Sequence, residues 1–290
     1  MRIKKEHYVP AAVSAVLIMG VVTMSVLKIR ARIDTNRITL PSIDDVPKAY
    51  WEKLAGKKIY FGHQSVGYNI MDGITDVISG RDDISLNIVE SRESSVFDQP
   101  VFAHSQVGKN MDPASKVKGF IDIMDAGAGE KVDIAFFKFC YIDIMRDSDP
   151  QKIFNLYREA LEELEKRYPE TKFLHVTIPL RSTPKGIERN LKQSIKLLIG
   201  KPGVLDDNIK RERYNTLLRN TYSETGALFD LALIETINPD GFRCYAVKGE
   251  EKVHVMVPEY TEDGGHLNNQ GKKKIAEQML ISLANIANEL

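Results

Sequence analysis

Residues 57–80 read KKIYFGHQSVGYNIMDGITDVISG, and this stretch decides the fold. Its first part, Lys58–Phe61, is a short apolar run of the kind that forms a buried strand, and Gly62 ends it. Apolar residues then recur at the spacing of one helix face; they are Val66, Ile70, Ile74, Val77 and Ile78. The stretch therefore predicts a strand, a tight turn that contains Ser65, and a helix that ends near Gly80.

Strand-like and helix-like segments alternate through the rest of the chain. Helices are predicted after Asp149, around Tyr214 and at the C-terminal end, and 253–257 (VHVMV) alternates as in a hairpin. Further apolar strands are predicted at 84–89, 132–139, 172–178 and 227–231. This order indicates a mostly parallel sheet with helices on both faces, a three-layer α/β/α domain over residues 57–290.

The composition is that of a globular protein. The chain has 290 residues, of which 43% are hydrophobic and 28% are charged, values that exclude a disordered or polytopic membrane protein. Its 40 Lys+Arg balance 40 Asp+Glu, so it carries no bulk basic field for nucleic acid. We therefore predict no nucleic-acid partner, and the composition leaves the oligomeric state open.

The N-terminal segment is more apolar than the rest. Residues 11–27 (AAVSAVLIMGVVTMSVL) are uncharged and follow a basic N-terminus. A helix needs about 20 apolar residues to span a bilayer, and the basic residues directly after this run disfavour signal cleavage. The sequence predicts an uncleaved signal anchor and single transmembrane helix over 1–32, with a cleaved signal peptide or a buried helix as alternatives. A stalk over 33–56 would then lead to a domain outside the cytoplasmic membrane.

Two groups of reactive side chains fall where strands of such a sheet end. Ser65 begins a predicted helix, where unpaired amides and the helix dipole favour negative charge. Asp263 precedes His266 by three residues, a spacing at which a carboxylate can orient an imidazole. Taken separately, Ser65 could be a helix cap and Asp263 part of a turn. Taken together, they indicate a nucleophilic serine with its base.

This combination resembles the SGNH (GDSL-like) hydrolase superfamily. Gly62-His63-Gln64-Ser65 is similar to its first block, and Asp263-x-x-His266-Leu267-Asn268-x-x-Gly271 is similar to its last. The resemblance covers 57–290 and implies a flavodoxin-like α/β/α fold. It also implies that Ser65 attacks an ester carbonyl, that His266 acts as the base and that Asp263 holds the imidazole.

The middle blocks of the family are less clear in this chain. The resemblance implies an oxyanion-hole amide from a glycine block, for which Gly108 is the candidate. Cys140 occupies the position of the family's asparagine, which implies that a third oxyanion donor comes from elsewhere. The candidates for contact with the oxyanion or the substrate are Gln64, Asn110, Cys140, Tyr141, His63 and His104, the two histidines being equally consistent with structural hydrogen bonding.

The resemblance implies a serine esterase or deacylase, with an acetylated carbohydrate or another envelope ester as substrate. An O-acyltransferase with the same residues and a catalytically silent glycan-binding protein are the alternatives. The intact set of Ser65, Asp263 and His266 favours an enzyme. No cofactor is predicted, and the histidines lack the spacing of common metal motifs. Cys140 and Cys244 could form a disulfide or remain two buried thiols.

Overall fold

The computed structural model describes residues 31–183 and 203–290. The predicted signal anchor lies outside the described residues. Within them, no helix is both long and apolar enough to cross a bilayer.

A parallel sheet forms the centre of the domain. In chain order the strands are β1 (Arg32–Arg37), β2 (Lys58–His63), β3 (Ile88–Glu90), β4 (Val101–Gln106), β5 (Ile134–Phe137), β6 (Lys172–Phe173), β7 (His175–Val176), β8 (Leu228–Phe229), β9 (Phe242–Lys248) and β10 (Glu251–His254). Five of them form one parallel sheet in the order β3-β4-β2-β5-β6, and β7 pairs in parallel with β8. The predicted mostly parallel sheet is confirmed.

Helices cover both faces of this sheet. They are α1 (Lys48–Ala55), α2 (Val66–Ser79), α3 (Pro113–Ile123), α4 (Pro150–Arg167), α5 (Val204–Tyr222), α6 (Leu231–Ile234) and α7 (Asn269–Glu289). Ile59 and Phe61 of β2 point into the apolar layer shared with α1, α2 and α7, whereas Tyr60 points into the layer shared with α3, α4 and α5. The alternation along one strand places β2 between the two layers.

The segment predicted as a stalk packs against the domain instead of extending away from it. Strand β1 pairs antiparallel with β9, which also pairs with β10 in the predicted hairpin. Trp51 and Leu54 of α1 are buried in the core, and α1 contacts α7. The physical reason is that these apolar side chains find partners on the face of α7, a long-range contact that the local composition does not reveal.

Other differences concern the length of elements. The strand predicted over 84–89 is regular only at Ile88–Glu90, and the strand predicted over 227–231 ends where Asp230 caps α6. Strand β4 and helix α3 were not among the predicted elements. His104 and Ser105 interrupt the apolar run of β4, although both side chains are buried. The sequence of β4 therefore lacks the apolar periodicity that predicts a strand.

Candidate active site

Ser65 lies at the carboxyl end of the central strand β2, in the turn that leads into α2. Its backbone has φ 50° and ψ −107°, a left-handed conformation that is costly for a residue with a Cβ atom. Its side chain does not cap the helix. The hydroxyl Oγ instead lies 2.6 Å from His266 Nε2, so the structure brings together the two side chains that the sequence paired.

Asp263 holds the other side of the His266 ring. Its Oδ2 accepts a hydrogen bond from His266 Nδ1 at 2.5 Å, and its Oδ1 accepts from the amides of Gly265 and His266, each at 2.8 Å. Burial alone would raise the pKa of Asp263, but these hydrogen bonds outweigh it and hold the pKa well below its usual value. Because an ionised carboxylate only accepts, Nδ1 carries the proton and Nε2 presents its lone pair to Ser65.

The His266 loop is tied directly to the helix that follows the serine. Asn69 of α2 accepts a hydrogen bond from the Leu267 amide at 3.1 Å. Helices α2 and α7 also pack against each other along the same face of the sheet. The two motifs, far apart in the sequence, are thus fixed relative to one another through α2.

His63 is buried under the serine turn and does not face the substrate side. It is fully buried, and its Nε2 lies 3.0 Å from His104 Nδ1. Burial lowers the pKa of His63 to about 2 and also lowers that of His104, so both rings are neutral at ordinary pH. Substrate contact by His63 is therefore contradicted, and the structural alternative applies: the ring fills the space below α2.

Gly67 shows how closely this ring supports the helix. A Cβ atom at Gly67 would lie 2.3 Å from His63 Cβ and Cγ, a distance that no side chain tolerates without movement. We expect Gly67→Ala to lower the free energy of unfolding by about 1–3 kcal/mol, as overpacking of a core does. Chemical denaturation is the measurement.

Gly80→Ala, at the other end of the same helix, is the control. A Cβ atom there would meet only Val77 O, at 3.7 Å. If both variants unfolded at the same denaturant concentration, close packing of His63 on α2 would be refuted.

Gly108 lies in the loop after β4 with φ 57°, a conformation suited to glycine. A Cβ atom there would lie 2.4 Å from the backbone nitrogen of Lys116, so the close approach of the first turn of α3 also requires a glycine at position 108. Within 31–183 and 203–290, no group accepts a hydrogen bond from the amides of Ser65 or Gly108. Both amides can therefore donate to a ligand.

Gln64 and Asn110 differ as candidates for a third donor. Gln64 Nε2 donates to Val107 O at 3.3 Å and to Gly108 O at 2.5 Å, so both of its protons are used to hold the β4 loop. The structure thus contradicts a role for Gln64 as a free donor. Asn110 is exposed, and its Oδ1 accepts from Lys116 Nζ at 2.9 Å, which leaves its Nδ2 group as the available donor.

Cys140 and Tyr141 point in different directions. Cys140 is buried, and its Sγ donates to Gln64 O at 3.4 Å, on the inner side of the serine turn. Cys140 is therefore not a substrate contact. The Tyr141 ring lies edge-on to His266 with centroids 5.9 Å apart, and the Arg181 guanidinium lies 5.3 Å from its centre. Tyr141 thus forms one wall of the site.

Several residues of the site were missed by the sequence reasoning. Asn69 orients the His266 loop, and Arg181 donates to Gly264 O at 3.3 Å. Lys138 lies beneath the serine turn, and Lys116 forms a buried ion pair with Asp143. The signal for Lys138 is present in the sequence, because a lysine inside the apolar run VDIAFFKF is unusual.

The positions of the histidines and cysteines bear on metal binding and on disulfide formation. In the described parts of the chain, no three or more potential ligand side chains cluster in a way that could hold a metal ion. His63 and His104 contact each other, whereas His266 contacts Ser65 and Asp263. Cys140 and Cys244 are both buried free thiols.

A polar cavity opens at the carboxyl ends of two strands of the sheet, with Tyr68 of α2 in its lining. Its volume is about 410 Å³, and it lies where β3 and β4 end. Tyr68, three residues after Ser65, donates to Glu90 Oε1 at 2.5 Å and accepts from Gln106 Nε2 at 3.0 Å. All of the lining side chains carry polar groups; they are Tyr68, Glu90, Ser91, Arg92, Glu93, Ser105 and Gln106.

Comparison with known proteins gives one family and several distant structures. The family described as GDSL-like lipase/acylhydrolase matches residues 60–279. No curated protein sequence matches the chain significantly.

Three of the solved structures that are similar to the chain illustrate the distance of the match. A candidate platelet activating factor from Streptococcus pneumonia has 14% identity and a TM-score of 0.44, covering 94% of this chain and 99% of that one. A candidate lipolytic protein of the G-D-S-L family from Desulfitobacterium hafniense has 9% identity and a TM-score of 0.43, covering 78% and 99%. The periplasmic domain of a lipopolysaccharide acetyltransferase from Salmonella ser. Paratyphi A has 11% identity and a TM-score of 0.41, covering 82% and 98%.

Proposed function

The chain belongs to the GDSL-like lipase/acylhydrolase family, whose members act on acyl esters, and on that premise we propose that it is a serine esterase with Ser65 as the nucleophile. The observation that supports this most directly is the unbroken line of hydrogen bonds from Ser65 Oγ through His266 to Asp263. A line of this kind activates a hydroxyl group and stabilises the imidazolium that forms.

The reaction has two stages in this proposal. His266 Nε2 takes the hydroxyl proton as Ser65 Oγ attacks the ester carbonyl, and the amides of Ser65 and Gly108 bind the oxyanion. His266 then protonates the leaving alcohol, and the acyl group remains on Ser65. A water molecule, deprotonated by His266, releases the acid and restores the enzyme.

Two features favour hydrolysis of a small acyl group on a polar alcohol. The His266 side chain is 44% exposed, so water reaches the base, which favours hydrolysis over transfer to another hydroxyl group. The polar cavity lined by Tyr68, on the helix that follows Ser65, carries carboxylate, guanidinium, hydroxyl and amide groups, which suit a hydroxyl-rich partner and not a long acyl chain. An acetylated carbohydrate meets both requirements.

The proposed location follows from the N-terminal segment. The uncharged run at 11–27 suits a signal anchor, and a domain outside the cytoplasmic membrane would meet acylated envelope glycans. A reporter enzyme active only in the periplasm, fused to the C-terminus, tests the location. Absence of reporter activity in cells that produce the fusion would refute it.

The activity itself is tested with the full chain in detergent micelles. We expect hydrolysis of p-nitrophenyl acetate and of an acetylated xylan oligosaccharide, with much weaker hydrolysis of a p-nitrophenyl ester of a long fatty acid. A fluorophosphonate probe should label wild type and the control Ser79→Ala. Among the described residues, the Ser79 hydroxyl group donates to Asp76 O at the exposed end of α2. The probe should not label Ser65→Ala. Labelling of Ser65→Ala, or no labelling of wild type, would refute the proposal.

A further inference from the structure

A lysine is buried directly beneath the serine turn. Lys138 follows β5 and is only 1% exposed, and its backbone amide donates to Gly62 O at 3.2 Å. Lysines are almost never fully buried unless they are paired. The Lys138 Nζ group nevertheless has two hydrogen-bond partners among the described residues, Gln64 O at 3.4 Å and Cys140 Sγ at 3.7 Å, and neither is a carboxylate.

The contact with Gln64 O involves the peptide group that supplies the Ser65 amide. This carbonyl accepts from three donors: Gly67 N at 2.9 Å, Cys140 Sγ at 3.4 Å and Lys138 Nζ at 3.4 Å. In a planar trans peptide, the N–H points opposite to the C=O. Donors that fix the carbonyl on the inner side therefore fix the Ser65 N–H on the outer side, where it has no acceptor within the described residues.

A positive charge near the carbonyl oxygen of a peptide group also changes the donor strength of its N–H group. Donors at the carbonyl oxygen draw electron density from the nitrogen, and hydrogen bonds in such a chain strengthen one another. The Ser65 N–H thereby becomes a better donor, and it is the group that the proposed mechanism assigns to the oxyanion. An ammonium group produces this polarisation more strongly than a neutral donor does.

We propose that Lys138 is a positioning residue that, together with Cys140, fixes and polarises the Gln64–Ser65 peptide so that the Ser65 amide stabilises the oxyanion. This rests on the proposed esterase function. The proposal also assigns a role to the segment in which Cys140 replaces the asparagine of the family pattern. Its side chains donate to Gln64 O, on the inner side of the serine turn, and do not donate to the oxyanion.

The Lys138 ammonium group has no carboxylate within hydrogen-bond distance among the described residues. Desolvation lowers the pKa of Lys138, and the charged or titratable groups that affect it are Cys140, Asp143 and Lys116. Burial lowers the pKa of His63 and the charge of Lys138 lowers it further, whereas burial raises the pKa of Glu235 well above its usual value and Lys138 opposes part of that rise. Burial of a charge without a carboxylate partner costs free energy, so we expect an apolar side chain of similar length at this position to leave stability unchanged or to raise it.

The test compares Lys138→Met with wild type in the full chain. We expect kcat for p-nitrophenyl acetate to fall by about 10- to 100-fold with little change in KM, because the oxyanion develops as Ser65 attacks and is absent from the bound substrate. The melting temperature should stay the same or rise. Lys118→Met, which removes an exposed lysine of α3 paired with Asp122, is the matched control and should change neither value.

Cys140 gives a second measurement in case Lys138→Met does not fold. Cys140→Ala removes one donor to the same carbonyl and should lower kcat several-fold, whereas Cys140→Ser keeps a donor and should recover most of that loss. Unchanged kcat in Lys138→Met or in Cys140→Ala would overturn the inference, and so would a loss of kcat in Cys140→Ser as large as in Cys140→Ala. These results would leave the esterase proposal intact if wild type hydrolyses the ester, whereas an inactive wild type would overturn both.

Discussion

Removal of the Ser65 hydroxyl or of the His266 imidazole is expected to lower kcat by about 10⁴- to 10⁶-fold, and removal of both should lower it no further. The physical reason is that the two groups act as one unit. With Oγ and Nε2 only 2.6 Å apart, the serine becomes strongly nucleophilic only when the imidazole takes its proton, and without the serine no acyl-enzyme forms on which the imidazole could act. The measurement is kcat for p-nitrophenyl acetate in Ser65→Ala, His266→Ala and the double variant.

A residual rate above that in water is expected in all three variants. The amides of Ser65 and Gly108 remain in place and can still bind the oxyanion of a carbonyl attacked by water. Ser79→Ala serves as the control for substitution of a serine in α2. If the losses in the two single variants multiplied in the double variant, Ser65 and His266 would act independently, contrary to the proposed mechanism.

The positions of Ser65, Asp263 and His266 in the fold could be predicted from the sequence, because local order limits them. Ser65 follows a strand and opens a helix, and the carboxyl ends of parallel strands meet at one edge of the sheet. Asp263 and His266 lie in one short turn before the last helix, where a separation of three residues suffices to bring carboxylate and imidazole together. The pairing of the two motifs needed the resemblance, because 201 positions separate Ser65 from His266.

The direction in which each neighbouring side chain points could not be predicted in the same way. His63, Gln64 and Cys140 all lie close to Ser65 in the fold, yet His63 fills the layer under α2, and Gln64 and Cys140 bond to backbone carbonyls. These directions depend on the strained backbone of the turn and on contacts with β4 and β5. Spacing along the chain shows that a residue is near the site but not which side of the backbone it occupies.

The buried ion pair of Lys116 and Asp143 is the second place where one substitution should have a large effect. Lys116 Nζ lies 2.5 Å from Asp143 Oδ2, and both side chains are fully buried. Lys116→Met would leave the carboxylate without its cation, and breaking a buried pair in this way costs about 3–5 kcal/mol. We expect the free energy of unfolding, measured by chemical denaturation, to fall by this amount.

Asp143→Leu is expected to cost more than Lys116→Met, because the carboxylate has further partners. Asp143 Oδ1 accepts from the Met111 amide at 2.8 Å, and Oδ2 accepts from the Cys140 amide at 2.6 Å. The double variant Lys116→Met with Asp143→Leu should recover only part of the loss, since it removes the unpaired charge and leaves the buried Cys140 amide and the partly buried Met111 amide without an acceptor. The exposed pair of Lys118 and Asp122 is the control, and Lys118→Met should cost less than about 1 kcal/mol.

The comparison of Lys116→Met with Lys118→Met distinguishes the stability contribution of a buried ion pair from that of an exposed pair, since both lysines lie on α3. A cost for Lys116→Met no larger than that for Lys118→Met would refute the importance of the pair. The expected difference also bears on the site, because Asp143 joins the loop of Met111 to the loop of Cys140, and Lys116 holds Asn110. Loss of the pair should therefore loosen the Gly108 side and the Lys138 side of the oxyanion hole together.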